Sequence, residues 1–166
     1  MPAQEQALPG KGSEPTWQPE AACWPGLVPL LRWEASYNLG IPTLDQQHQA
    51  LFACFNPLLE EINAGAPFRL GFVALLLDDL IAYADYHFEH ETYLFVRHGY
   101  LGRNEHFGEH NSFLEMLMHL RHQLEHGRSK PELLEPLVRL LASWWLDHLT
   151  GQDRDYAEFL LAKGEQ

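Results

Sequence analysis

The chain has 166 residues, 46% of them hydrophobic, and a formal net charge of −12. That length supports one domain with a real core, and charge of that sign disfavours phosphate backbones and anionic membrane surfaces. No apolar run approaches the roughly 20 residues that span a bilayer, and Cys23 and Cys54 form no C-x-x-C, so neither a membrane span nor a disulfide framework is implied.

The opening MPAQEQALPGKGSEP lacks a basic start followed by an apolar stretch, so it does not read as a secretory signal, and a cytoplasmic protein is expected. Six of the eleven prolines fall in the first thirty residues. Residues 1–24 therefore read as a flexible Pro-rich tail, and residues 25–166 as the folded domain. The tail's Trp17 and Trp24 either fold onto the domain or offer a protein partner a docking segment. WPGLVPLLRWEASYNLGIPTL follows and reads as an extended arm laid along a surface.

Helical periodicity begins after the arm. Asp45 is a candidate cap for a first helix. His48, Leu51, Phe52, Phe55, Leu58, Leu59 and Ile62 then recur at helical spacing and define one buried face. Pro57 removes a backbone donor, so a kink is expected there. Asn63-Ala64-Gly65-Ala66-Pro67 ends the helix. A second helix is expected from Phe68 to His98, stopped by Gly99, and a third from Arg103 to His126. Ser129-Lys130-Pro131-Glu132 has capping-box spacing for a fourth, which Pro136 is expected to divide. Four helices with short connections make an all-α, antiparallel up-down four-helix bundle with an N-terminal arm.

Residues four apart share a helix face. His87 and Glu91 project together, on the face carrying Leu80, Ala84 and Leu94. His106 and His110 project together, on the face continued by Phe113 and Leu117. His48 lies on the stripe of the first helix, and His148 on that of the fourth. Each helix thus turns histidine inward. Burying such groups without partners costs about 1–3 kcal/mol each, so a shared ligand is the economical explanation. Asp153 lies five residues after His148, a rotation of about 140° on a continuous helix. Gly151 lies between them, and a break there is expected to return Asp153 to the interior. Five imidazoles and two carboxylates exceed what one metal uses at this spacing. Two metals bridged by Glu91 and Asp153 accommodate them, and the donor set suits iron, zinc or manganese.

The remaining histidines receive blander readings. His119, His122 and His126 fall near one face at the end of the third helix and are expected to be solvated. His90 and His98 read as boundary or surface residues. Glu89, Glu105 and Glu109 are expected to face solvent or helix ends.

From Trp33 to about Phe159 the sequence resembles the hemerythrins, specifically the bacterial single-domain type. WEASYNLGIPTLDQQH ends at His48, HFEHE holds His87 and Glu91, EHFGEHNSF holds His106 and His110, and WWLDHLTGQDRDY holds His148 and Asp153. The resemblance implies a hemerythrin-like bundle with a non-haem di-iron centre that binds O₂ reversibly, as hydroperoxide, for carriage, storage or delivery. It implies one iron on His106, His110 and His148 and another on His48 and His87. Glu91, Asp153 and an oxo or hydroxo group would bridge them, and the two-His iron would be open to O₂. Phe52, Phe113, Trp144, Trp145 and Leu149 are the expected pocket lining. Trp145 departs from the family's leucine at that position and is expected to narrow ligand entry or slow autoxidation. Phe95 stands where many relatives have methionine, and Thr92 replaces a glutamate. Alternative readings are a sensor of O₂, nitric oxide or redox state, or a di-iron oxidase or peroxidase. No histidine here follows a glutamate by three positions, as in ferritin-like enzymes, which favours binding over catalysis. A monomer or weak homo-oligomer is expected.

Overall fold

The structure is a computed structural model and describes residues 28–126 and 131–165. The tail 1–24, its tryptophans and the Ser129 capping box lie outside those residues.

Residues 28–41 form the arm, with a single 3₁₀ turn at Ala35–Tyr37. Two asparagines of the first helix hold it. Asn63 Oδ1 accepts the Val28 amide and Asn63 Nδ2 donates to the Val28 carbonyl, both at 2.8 Å. Asn56 repeats this with the Leu31 amide and carbonyl at 2.8 and 3.0 Å. Each carboxamide thus satisfies one donor and one acceptor of the extended backbone, as a neighbouring strand would.

Helix α1 spans Pro42–Ala64. It starts three residues before Asp45, because Pro42 suits the first helical position. Asp45 is therefore not the cap. Its two carboxylate oxygens instead accept the Leu39 and Gly40 amides and fix the arm's entry. The helix runs through Pro57 as one element. Helix α2 spans Leu70–His98 and ends at Gly99, whose φ of 67° is the left-handed C-cap conformation open to glycine. Before it, Glu61 of α1 accepts the Arg69 amide at 2.7 Å and pairs with the Arg69 guanidinium. Helix α3 spans Arg103–Glu125. Helix α4 spans Pro131–Thr150 and is not divided at Pro136. Helix α5 spans Gln152–Ala162.

Helices α1 to α4 form a closed ring: α1 packs on α2 and α4, and α3 packs on α2 and α4. With short connections this is the antiparallel four-helix bundle, and α5 extends its fourth member. The helical stripes supply the core. Leu44, Leu51, Phe55, Leu58, Leu59, Leu77, Leu80, Phe113 and Leu117 are all fully buried, each contributing about 1.5–3 kcal/mol. Cys54 of α1 is only half-buried. None of the described helices is long and apolar enough to cross a membrane.

Candidate metal centre

At the α5 end of the bundle the core changes character. His48, His87, Glu91, His106, His110, His148 and Asp153 are all buried, with exposures of 3% or less. Helix α1 supplies His48, α2 supplies His87 and Glu91, and α3 supplies His106 and His110. Helix α4 supplies His148 and α5 supplies Asp153. The break expected at Gly151 is present, with φ −106° and ψ −92°. The Gly151 amide still reaches the Asp147 carbonyl at 2.9 Å. A Cβ on Gly151 would sit 3.0 Å from that same oxygen, which explains the glycine. After this turn α5 returns Asp153 to the interior, so both Asp153 and His148 face the bundle axis.

The imidazoles converge through their Nε2 atoms. His48 and His87 stand 3.0 Å apart there. His148 Nε2 stands 3.1 Å from that of His106 and 3.0 Å from that of His110. Donors held at right angles on one ion by bonds of about 2.1 Å would be about 3.0 Å apart, the spacing found here. The carboxylates straddle the two imidazole groups. Asp153 Oδ1 lies 3.1 Å from the Nε2 atoms of both His106 and His148, while Oδ2 lies 3.4 Å from that of His48. Glu91 Oε2 lies 3.2 Å from His110 Nε2 and 3.8 Å from His87 Nε2. None of the four carboxylate oxygens accepts a well-formed hydrogen bond. Buried oxygens left in this state are ones a cation would satisfy.

Two overlapping donor groups result. One contains Glu91, His106, His110, His148 and Asp153; the other contains His48, His87, Glu91 and Asp153. Within each, one ligand atom per residue lies within 4.8 Å of the others.

In the metal-free fold, burial and the facing charges of opposite sign act on these groups in opposite directions. Burial lowers the His48 pKa to about 4 and that of His110 to about 2, and holds His87 well below the ordinary histidine value. For His148 burial acts the same way, but Asp153 and Glu109 outweigh it and raise the pKa to about 10. Burial also acts against Asp153 ionising, yet the facing His148 holds its carboxyl well below the usual range. Burial, then Asp153, push Glu91 well above that range.

Two residues that sequence reasoning missed orient imidazoles of the cluster. Glu109, expected to face solvent, is about a third exposed and accepts His148 Nδ1–H at 2.8 Å. Gln47 Oε1 accepts from His87 Nδ1 and from His90 Nδ1, both at 3.0 Å. With Nδ1 protonated, Nε2 keeps the lone pair that binds metal. Both residues immediately precede a site histidine in sequence, the one signal available. The Tyr156 hydroxyl is buried beside His106 without a partner.

The expected lining separates into two groups. Trp145, Phe113 and Leu149 are fully buried. Trp145 contacts the His48 and His87 rings at 5.5 and 5.7 Å. Half-buried Trp144 stacks between Phe113 at 4.2 Å and His148 at 4.6 Å. The recorded ring contacts of Phe52 are instead with Trp33 and Tyr37 of the arm, at 5.5 and 5.6 Å. Phe95 lies 4.7 Å from the His106 ring, and Phe88, which sequence reasoning passed over, stacks on His110 at 3.8 Å. Thr92 is half-buried one position past Glu91. His119, His122 and His126 are exposed, as expected. Half-buried His98 lies 3.3 Å from Glu165.

A four-helix bundle with two overlapping histidine and carboxylate groups in its core defines a metal-binding protein. A family profile, the Hemerythrin HHE cation binding domain, matches residues 39–160, and the chain belongs to the hemerythrin family. It is 27% identical over 129 residues to a bacteriohemerythrin of Stenotrophomonas maltophilia, covering 78% of this chain and 80% of that protein. It is 23% identical to a bacteriohemerythrin of Clostridium acetobutylicum, covering 76% and 98%. A crystal structure of wild-type hemerythrin superposes with a TM-score of 0.70 at 23% identity, covering 80% of this chain and 98% of that one, and supports the fold.

Proposed function

We propose that this chain binds dioxygen reversibly at a non-haem di-iron centre, as a binding protein and not an enzyme. One observation carries the reading: the donors form two groups that share Glu91 and Asp153 and differ by one histidine. His106, His110 and His148 would hold one iron, and His48 and His87 the other. Asp153, with one oxygen toward each group, and Glu91 would bridge them. The group with fewer protein donors is the side left for a small ligand. When bound, a pair of ferrous ions would supply two electrons to O₂ and recover them when it leaves.

The protein's part is to hold and shield. Glu109 and Gln47 fix the tautomers of His148 and His87. The negative charge of Asp153, and of Glu91 once it loses its proton, would offset the positive charge of the metals. Phe88, Phe95 and Trp145 pack against the imidazoles, with Phe113 behind Phe88 and Trp145, and exclude water, which favours release of the ligand unchanged over further reaction.

The test is an optical titration of reduced, iron-loaded protein with a metal count. Two irons per chain and a charge-transfer band that appears in air and vanishes on deoxygenation support the proposal. Irreversible oxidation with turnover of a reductant would favour an oxidase or peroxidase. Zinc or manganese at the site of protein grown with iron would overturn it.

A further inference from the structure

Trp145 is fully buried in α4, yet its indole Nε1 has no hydrogen-bond acceptor in the protein. A buried N–H left in this state costs about 1–3 kcal/mol and is rare in folded proteins. Its location gives a reason. The ring lies edge-on, at 74°, to both His48 and His87, the two imidazoles of the smaller donor group. Of the three imidazoles in the larger group only His148 is in recorded ring contact with it, at 6.4 Å. Phe55, Phe88 and Phe113 pack within 6.5 Å of the ring and offer no acceptor atom.

Resting on the di-iron reading, we propose that the Trp145 indole N–H donates a hydrogen bond to the small ligand taken up on the His48–His87 side. Trp145 is then a specificity-determining residue. A fixed N–H dipole in an apolar, water-poor surrounding favours ligands that carry negative charge over neutral ones of the same size. A leucine at this position, as in the resembling family, fills space but supplies no donor. The effect of Trp145 is therefore chemical selection in addition to narrowing the entry.

Azide, a small anion, is the probe, added to full-length, oxidised, iron-loaded protein. Trp145→Phe keeps an aromatic ring and removes the donor. Azide affinity is expected to fall about tenfold in this variant, with two irons per chain retained. Independently, in ¹⁵N-tryptophan-labelled wild type, the indole resonance missing from W145F is expected to move downfield on azide addition. An azide affinity unchanged or raised in W145F overturns the proposal. So does an indole resonance that azide leaves in place, and where W145F fails to fold, Trp145→Leu identifies that resonance in its stead. Wild-type protein that loads no iron or takes no azide removes the di-iron reading itself. Normal wild-type binding with unaltered W145F affinity removes only the role of Trp145.

Discussion

The Glu109 carboxylate sits 2.8 Å from His148 Nδ1, across the α3–α4 interface, and is the outward anchor of the one site imidazole whose pKa is raised. Glu109→Gln keeps the size but removes the charge that helps hold the ring. Loss of such a partner ordinarily weakens metal affinity about 10- to 100-fold. The check is iron retention against a competing chelator, with circular dichroism confirming an intact bundle.

Removing the metals should expose the cost of burying seven polar side chains. A chelated sample is expected to melt at least about 10 °C below the loaded one, corresponding to roughly 3 kcal/mol or more. Calorimetry of the two forms decides it, and equal melting temperatures would deny the cluster any structural role.

The metal-free form should also be acid-sensitive. His48, His87 and His110 stay neutral in the fold, with pKa values below 6.5, while the unfolded chain protonates them near 6.5. As pH falls below 6.5 the unfolded state binds more protons, so stability drops. Glu91 acts oppositely, because the fold keeps it protonated where the unfolded chain ionises, but it is one group against three. His148 adds stability that is complete below pH 6.5 and is lost as pH rises through about 10. A net uptake of one proton on unfolding costs about 1.4 kcal/mol per pH unit. The urea midpoint of chelated protein should therefore be lower at about pH 5.5 than at about pH 6.5.

Gly151→Ala should disturb the centre through the backbone. The new Cβ would meet the Asp147 carbonyl oxygen at 3.0 Å, so that carbonyl must give by a few tenths of an ångström in the turn that precedes Asp153. A destabilisation of about 1–2 kcal/mol is expected, with weaker iron retention than in Gly108→Ala, where a Cβ meets nothing within 4 Å.

Glu61→Ala is the contrasting case. It removes the acceptor for the Arg69 amide ahead of α2, far from the metal ligands in sequence. The melting temperature should fall about 2–4 °C, for roughly 1 kcal/mol of lost capping, with iron content unchanged.

The bundle and the inward histidines were legible because both rest on helical periodicity. The break at Gly151 was legible because Asp153 has no other way to share a face with His148. The start of α1 was missed because Asp45 serves the arm's amides and Pro42 opens the helix. Pro136 was overread: a proline six positions into a helix that begins at Pro131 lies close to the turn where a missing amide costs little. Glu109 and Gln47 were hidden for another reason. Their roles depend on which helix stands opposite, and no spacing within α3 or α1 encodes that. Phe52 shares its helix face with His48, but the arm's Trp33 and Tyr37 come to meet it.

The turn at Gly151 also sets an order of events for the growing chain. His48 lies near the start of α1 and Asp153 in the final helix, so the carboxylate with one oxygen toward each histidine group is made last. Its neighbour Arg154 donates to the Ser36 and Asn38 carbonyls of the arm, binding the two ends of the described chain together. These pairings are among the most distant in sequence, and distant pairings form slowly. The centre is therefore expected to be completed after the bundle has begun to form. Metal capture would then act as a latch on a chain already folded, and a product lacking its last helix would carry six donors with Glu91 alone shared between the two groups.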